Sequence, residues 1–159
     1  MKALWCALAL AGCAPMPSSS LAISGDLRAD DLEVIASALQ HWDDNITVRY
    51  GIQLTVDYNA VIYEDGHSVG GHAVCSSPAV VDLYMRVVGR EREWLYNGFL
   101  HELTHVHLGC NDDDHVDDTG SLMNPVVRFY RGEGLDCDTL SRLAVAVGDE
   151  QVPGLERCE

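Results

Sequence analysis

Residues 101–105 read His101-Glu102-Leu103-Thr104-His105, inside the run Glu91–Leu108 (EREWLYNGFLHELTHVHL). The run reads as an α-helix stopped near Gly109. Four residues turn a helix by about 400°, so the two imidazoles fall on one face, a turn apart, and can share an ion. Glu102 lies about 100° round from His101, near enough to take a proton from water on that ion without binding the ion itself. His107 follows His105 by only two positions, points about 200° away from it and reads as an ordinary helix histidine.

On the N-terminal side, Asp26–Trp42 reads as an amphipathic helix. Leu32, Ile35, Leu39 and Trp42 recur at helical spacing, and Asp26, Asp30 and Asp31 sit at its N-terminal end, where the dipole favours acids. Ile46–Asp57 and Ala60–Tyr63 are rich in Val, Ile, Tyr and Thr, as strands are. Asp65-Gly66 and Gly70-Gly71 mark turns, and Pro78–Val88 (PAVVDLYMRVV) is a further predicted strand. On the C-terminal side, the polar stretch Asn111–Gly120 leads to a last helix, Asp136–Val147, capped by Asp136 or Asp138. There is no internal repeat. Helix, strands, helix, loop and helix predict one α+β domain.

The chain has 159 residues, 47% of them hydrophobic, which suits one domain with a real core. Asp and Glu number 25 against 10 Lys and Arg, for a formal net charge of −15. Such a surface repels a phosphate backbone, which argues against nucleic acid as a partner. It suits basic substrates, but solubility explains it equally well. Met1–Gly12 has one positive charge, at Lys2, and then a short apolar run, the layout of a secretory signal rather than a membrane span. Leu10-Ala11-Gly12-Cys13 resembles the bacterial lipobox. That resemblance implies cleavage before Cys13, lipid on Cys13 and membrane attachment through at least two acyl chains. Ala14 in the next position implies an outer-membrane lipoprotein of the bacterial envelope, facing the periplasm or the exterior. Residues 13–25, with Pro15-Met16-Pro17 and a serine run, read as the lipidated N-terminus and a tether, and residues 26–159 as the domain. Cys75, Cys110, Cys137 and Cys158 remain, and export suggests two disulfides with three possible connectivities. Histidine nitrogens in an oxidising compartment favour zinc.

Gly120-Ser121-Leu122-Met123-Asn124-Pro125 resembles the Met-turn of the metzincin zinc endopeptidases, whose active-site helix carries HExxHxxGxxH. The resemblance spans His101–Pro125. It implies a mixed β-sheet, an active-site helix, a Met-turn and a C-terminal helix. It also implies one catalytic zinc ion and hydrolysis of peptide or protein substrates, with Glu102 as general base and Met123 as a hydrophobic base beneath the metal. One departure stands out. The family's third histidine falls where this chain has Asn111, and the next histidine is His115. His115 precedes Met123 by the family's usual interval, so a four-residue insertion after His105 accounts for both offsets and makes His115 the expected third ligand beside His101 and His105. Asp112, Asp113 and Asp114 are rival ligands, and with Asp117 and Asp118 they form a weaker calcium candidate. His67 and His72 carry no ligand spacing and read as surface residues. The family pairs extended substrate with an edge strand, here expected at Ala79, Val80, Val81, Asp82, Leu83, Tyr84, Met85 and Arg86. Some relatives have a tyrosine two positions after the methionine. This chain has Pro125 there, and Tyr130 is a weak substitute. Because the insertion holds Cys110, a Cys75–Cys110 bond would pin the lengthened loop and Cys137–Cys158 would tie down the C-terminus. This pairing is favoured among the three.

Two other readings are open to the sequence. One is a non-catalytic zinc-binding or adhesion lipoprotein on the same scaffold. The other is a different zinc peptidase class completed by Glu150 or Glu156, against which the Met-turn argues. A monomer is expected.

Overall fold

Alternation along two segments builds the central sheet. Ile52, Leu54 and Val56 of strand β2 (Gly51–Asp57), and Ala79, Val81 and Leu83 of β6 (Ala79–Tyr84), are all buried on one side. The residues between them are exposed or half-buried on the other side. A computed structural model describes residues 19–24, 27–64, 66–88, 91–110, 114–125 and 134–158. The signal, Cys13, most of the tether, Asp112, Asp113 and Tyr130 lie outside the described residues.

The sheet has four strands in the order β1-β2-β6-β5, where β1 is Ser20–Ser24 and β5 is Gly71–Val74. β1, β2 and β6 run parallel, and β5 runs antiparallel to β6, with His72 opposite Asp82 and Val74 opposite Val80. A separate hairpin, β3 (Ile62–Glu64) with β4 (His67–Val69), stands between β2 and β5 in the chain. The chain is therefore α+β with a mixed sheet.

Two sequence expectations change here. Ser20–Ser24, expected within the tether, is a strand. Its backbone pairs along β2, and Ser24 adds a hydroxyl contact to Thr55 at 3.0 Å. Ala79–Arg86, expected as an edge strand, is not one. β6 is hydrogen-bonded on both sides, by β2 and β5, and Met85 and Arg86 belong to a short helical turn, α2 (Met85–Val88). The edges are β1 and β5, and the start of β5 was expected as a turn at Gly70-Gly71.

Helix α1 (Ala29–Asn45) lies against the buried face with α3 (Arg92–Leu108). The buried stripe of α1 is Val34, Ile35, Ala38, Trp42 and Asn45. Leu32, expected on that stripe, lies beyond its margin and is exposed. The start of α1 is clamped to the end of β2. Tyr58 donates to Asp31 at 2.7 Å, and the Arg28 guanidinium stacks 4.2 Å over the Tyr58 ring. Helix α4 (Cys137–Val147) packs on α3 and buries Leu140, Leu143 and Ala144, and turns at Asp149–Gln151 and Pro153–Cys158 follow it. Asp136 caps α4 by accepting from the Thr139 N–H at 3.0 Å. The bonds Cys75–Cys110 and Cys137–Cys158 are formed, tying β5 to the end of α3 and α4 to the C-terminal turn.

Candidate metal centre

Helix α3 is enclosed by α1, α4 and the sheet, and every residue from Asn97 to His105 is buried. A surface helix with two solvated histidines is thereby excluded. His101, Glu102 and His105 are all buried. The helix stops at Gly109, at φ 103°, and Cys110 is also left-handed, at φ 52°. Both backbone N–H groups bond to the His105 carbonyl, at 3.0 and 2.8 Å.

His115 meets the two helical histidines. The Nε2 atoms of His101 and His105 are 3.2 Å apart, and that of His115 is 3.2 Å from the first and 3.0 Å from the second. Zinc–nitrogen bonds of about 2.0–2.1 Å at tetrahedral angles would separate ligand nitrogens by about 3.3 Å. The outer nitrogens of two rings are engaged. His101 Nδ1 donates to the Leu122 carbonyl at 2.8 Å, and His105 Nδ1 points at Asp114 Oδ2 at 3.4 Å. A neutral ring that donates through Nδ1 carries a lone pair on Nε2. Three converging nitrogens with at most one proton between them cannot satisfy one another, but a divalent cation satisfies all three. The donor set fits a metal ion, and among the described residues it is the only such group of three.

The electrostatics agree. Burial lowers the pKa of His101 to about 3, reinforced by His105 and His115 and opposed by its bond to Leu122. Burial, then His115, also lowers His105, while Asp114 opposes the shift. Both rings are therefore neutral near pH 7, as metal ligands must be. Burial pushes the Glu102 carboxyl up to about 8, and the negative charges of Glu64 and Asp82 add to this. A divalent cation beside it would act in the opposite direction. Gly71 opens β5 beside this carboxylate, since a Cβ there would stand 2.5 Å from Glu102 Oε1.

Met123 is fully buried but does not join the contiguous apolar core that includes Leu122. Its turn is tightly bonded. Val116 N–H donates to the Met123 carbonyl at 3.0 Å, Met123 N–H to Ser121 Oγ at 3.2 Å, and Leu122 N–H to Asp136 Oδ2 at 2.7 Å.

The remaining candidates are placed elsewhere. Asp114 touches the outer nitrogen of His105 and stands outside the group of converging nitrogens, so it is a partner to a candidate ligand. Asp117 and Asp118 are exposed, and Asp118 accepts the Gly120 N–H at 2.8 Å. His107 is packed 4.8 Å from the Trp42 ring and bonds to the Leu103 carbonyl at 2.9 Å. His72 is exposed, and so are Glu150 and Glu156, which lie outside the histidine group. Sequence reasoning missed the second role of Asp136, read only as a cap, the place of Gly71 beside Glu102, and Arg142, whose guanidinium donates to the Asp114 carbonyl. Each acts across the fold, at separations that local spacing does not reveal.

No family model matches the chain, and no curated protein matches it either.

Proposed function

We propose that this chain is a zinc-dependent endopeptidase of metzincin type, carried on the bacterial envelope as a lipoprotein. The observation that carries the reading is the convergence of three imidazole Nε2 atoms within 3.2 Å of one another, next to a buried glutamate on the same helix. His101, His105 and His115 would hold the ion. Zinc bound there would supply a water of lowered pKa and polarise a substrate carbonyl.

Glu102 has a different task, because it is the buried carboxyl beside the triad and not a member of it. Burial raises its pKa, and a divalent cation held by the triad would draw it back toward the ionised form, which can take a proton from water and return it to the leaving amine. The edge strand β5 has β6 as its neighbour on one side and, among the described residues, no strand on the other, where the main chain of an extended peptide would pair. Gly71 in that strand brings the peptide-binding edge close to Glu102. The buried Met123 and its bonded turn fit the metzincin resemblance. The envelope assignment rests on Leu10–Cys13 alone.

A protein that only held zinc would have no use for a carboxyl buried at this cost, which favours hydrolysis over adhesion. The test pairs metal analysis of the lipid-free domain with cleavage of casein or a peptide library. Zinc-loaded wild type is expected to cleave, and Glu102→Ala to keep its zinc while cleavage disappears. Wild type that carries zinc but leaves every peptide intact would overturn the enzyme reading.

A further inference from the structure

We infer that helix α4 is the positioning element of the metal centre, orienting His101 through Asp136 and holding His105 and the His115 segment through Arg142. This rests on the reading that the histidine triad binds a divalent cation.

Two relays run from α4 to the triad. In the first, Asp136 Oδ2 accepts the Leu122 N–H at 2.7 Å, and the Leu122 carbonyl accepts from His101 Nδ1 at 2.8 Å. In the second, the Arg142 guanidinium donates to the Asp114 carbonyl, and the Asp114 carboxylate lies 3.4 Å from His105 Nδ1. Asp114 also directly precedes His115, so one guanidinium fixes the backbone that carries both a ligand's partner and the third ligand itself. Asp114 is only 8% exposed, and its carboxylate therefore acts on the imidazole in a poorly screened setting.

The helix is suited to this role because it is itself held firmly. Asp136 caps it through both Thr139 N–H and the Thr139 hydroxyl, Leu140 and Leu143 are buried in the core, and Cys137 is bonded to Cys158. Contacts to the outer ring nitrogen set tautomer and ring orientation, and losing one typically costs ten- to a hundred-fold in metal affinity.

The experiment compares wild type with Asp114→Asn, Arg142→Met and Arg142→Lys, none of which alters a ligand. Zinc affinity is read by chelator competition, coordination by the visible spectrum of the cobalt-substituted domain, and fold integrity by thermal unfolding of the metal-free form. Asp114→Asn and Arg142→Met are expected to bind zinc about ten- to a hundred-fold more weakly and to change the cobalt spectrum. Arg142→Lys is expected to recover part of the loss. A purely structural role would lower metal-free stability and leave the affinity of the folded domain unmoved. If Arg142→Met does not fold, the near-isosteric Asp114→Asn and the charge-preserving Arg142→Lys decide the matter. Affinities within two-fold of wild type in the folded variants overturn the inference alone. A wild-type domain that takes up no zinc overturns the underlying reading, and the inference falls with it.

Discussion

Gly71 and Glu102 touch. A Cβ built on Gly71 would stand 2.5 Å from Oε1, 2.8 Å from Cγ and 2.9 Å from Cδ of Glu102. The antiparallel edge strand and the central helix thus meet at the Glu102 carboxyl, which stands outside the histidine group. The missing side chain at 71 leaves that carboxyl its room. Gly71 is not at positive φ, so alanine is compatible with the backbone, and the nearest conflicts are all with the glutamate.

Gly71→Ala should therefore separate chemistry from metal binding. Glu102 would have to leave its buried position, and the histidines need not move. Zinc content should equal that of wild type while kcat falls by about ten-fold or more, a misplacement effect of the kind expected for a displaced general base. Equal kcat in the variant would disconnect the strand from the catalytic carboxyl.

Metal removal should be visible as lost stability. A ligand at 100 times its Kd stabilises a fold by about 2.7 kcal/mol, which for a domain of this size raises the Tm by roughly 5–10 °C. Chelation should lower the Tm by that order and added zinc should restore it, as followed by calorimetry.

Stability of the metal-free domain should depend on pH in two opposed limbs. His101 falls from its ordinary 6.5 to about 3 in the fold, so between those values only the unfolded chain takes up the proton and acid destabilises. Glu102 rises from 4.5 to about 8, so between those values only the folded state holds the proton and alkali destabilises. In the presence of chelator, Tm should fall from pH 6 to pH 9 in wild type and stay nearly level in Glu102→Gln.

The two outer histidines of the region should behave differently. His115→Ala should lose most of the bound zinc. His107→Ala should retain it and lose about 1–2 kcal/mol of stability, because His107 packs on Trp42 and bonds to the Leu103 carbonyl of its own helix. Denaturant unfolding and metal analysis of the same preparations check both.

Opening Cys75–Cys110 with paired serines should cost about 2–4 kcal/mol for a closure of this size, with a sequence separation of 35. Because β5 loses its tie to α3, KM for an extended peptide should rise more than kcat falls. A lower kcat at unchanged KM would speak against β5 as the docking edge.

The parts legible in the sequence are those that depend on short, repeating spacing. The face shared by His101 and His105 follows from the helical period. His115 was legible by counting back from Met123, and the start of α4 from its two candidate caps, Asp136 and Asp138, of which the structure uses Asp136. The sheet order was not legible, because Val80 and Val81 alternate in the same way whether a strand is at the edge or in the middle. Neighbours decide that, and β5 is four residues bounded by glycine and a cysteine. Ser20–Ser24 carries only Leu21 and Ile23 as large apolar residues, and it becomes a strand by pairing with β2. Asp114 was read as a rival ligand and not as the partner of His105, since that depends on a backbone held by Arg142, 28 residues away.

The segment that brings His115 to the other two histidines is anchored at both ends, by the Cys75–Cys110 bond where it leaves α3 and by Arg142 at the Asp114 carbonyl. The third imidazole is thus moored to two parts of the chain far from it in sequence, the end of β5 through sulfur and α4 through a guanidinium, and a disturbance in either can reach the histidine cluster without touching it.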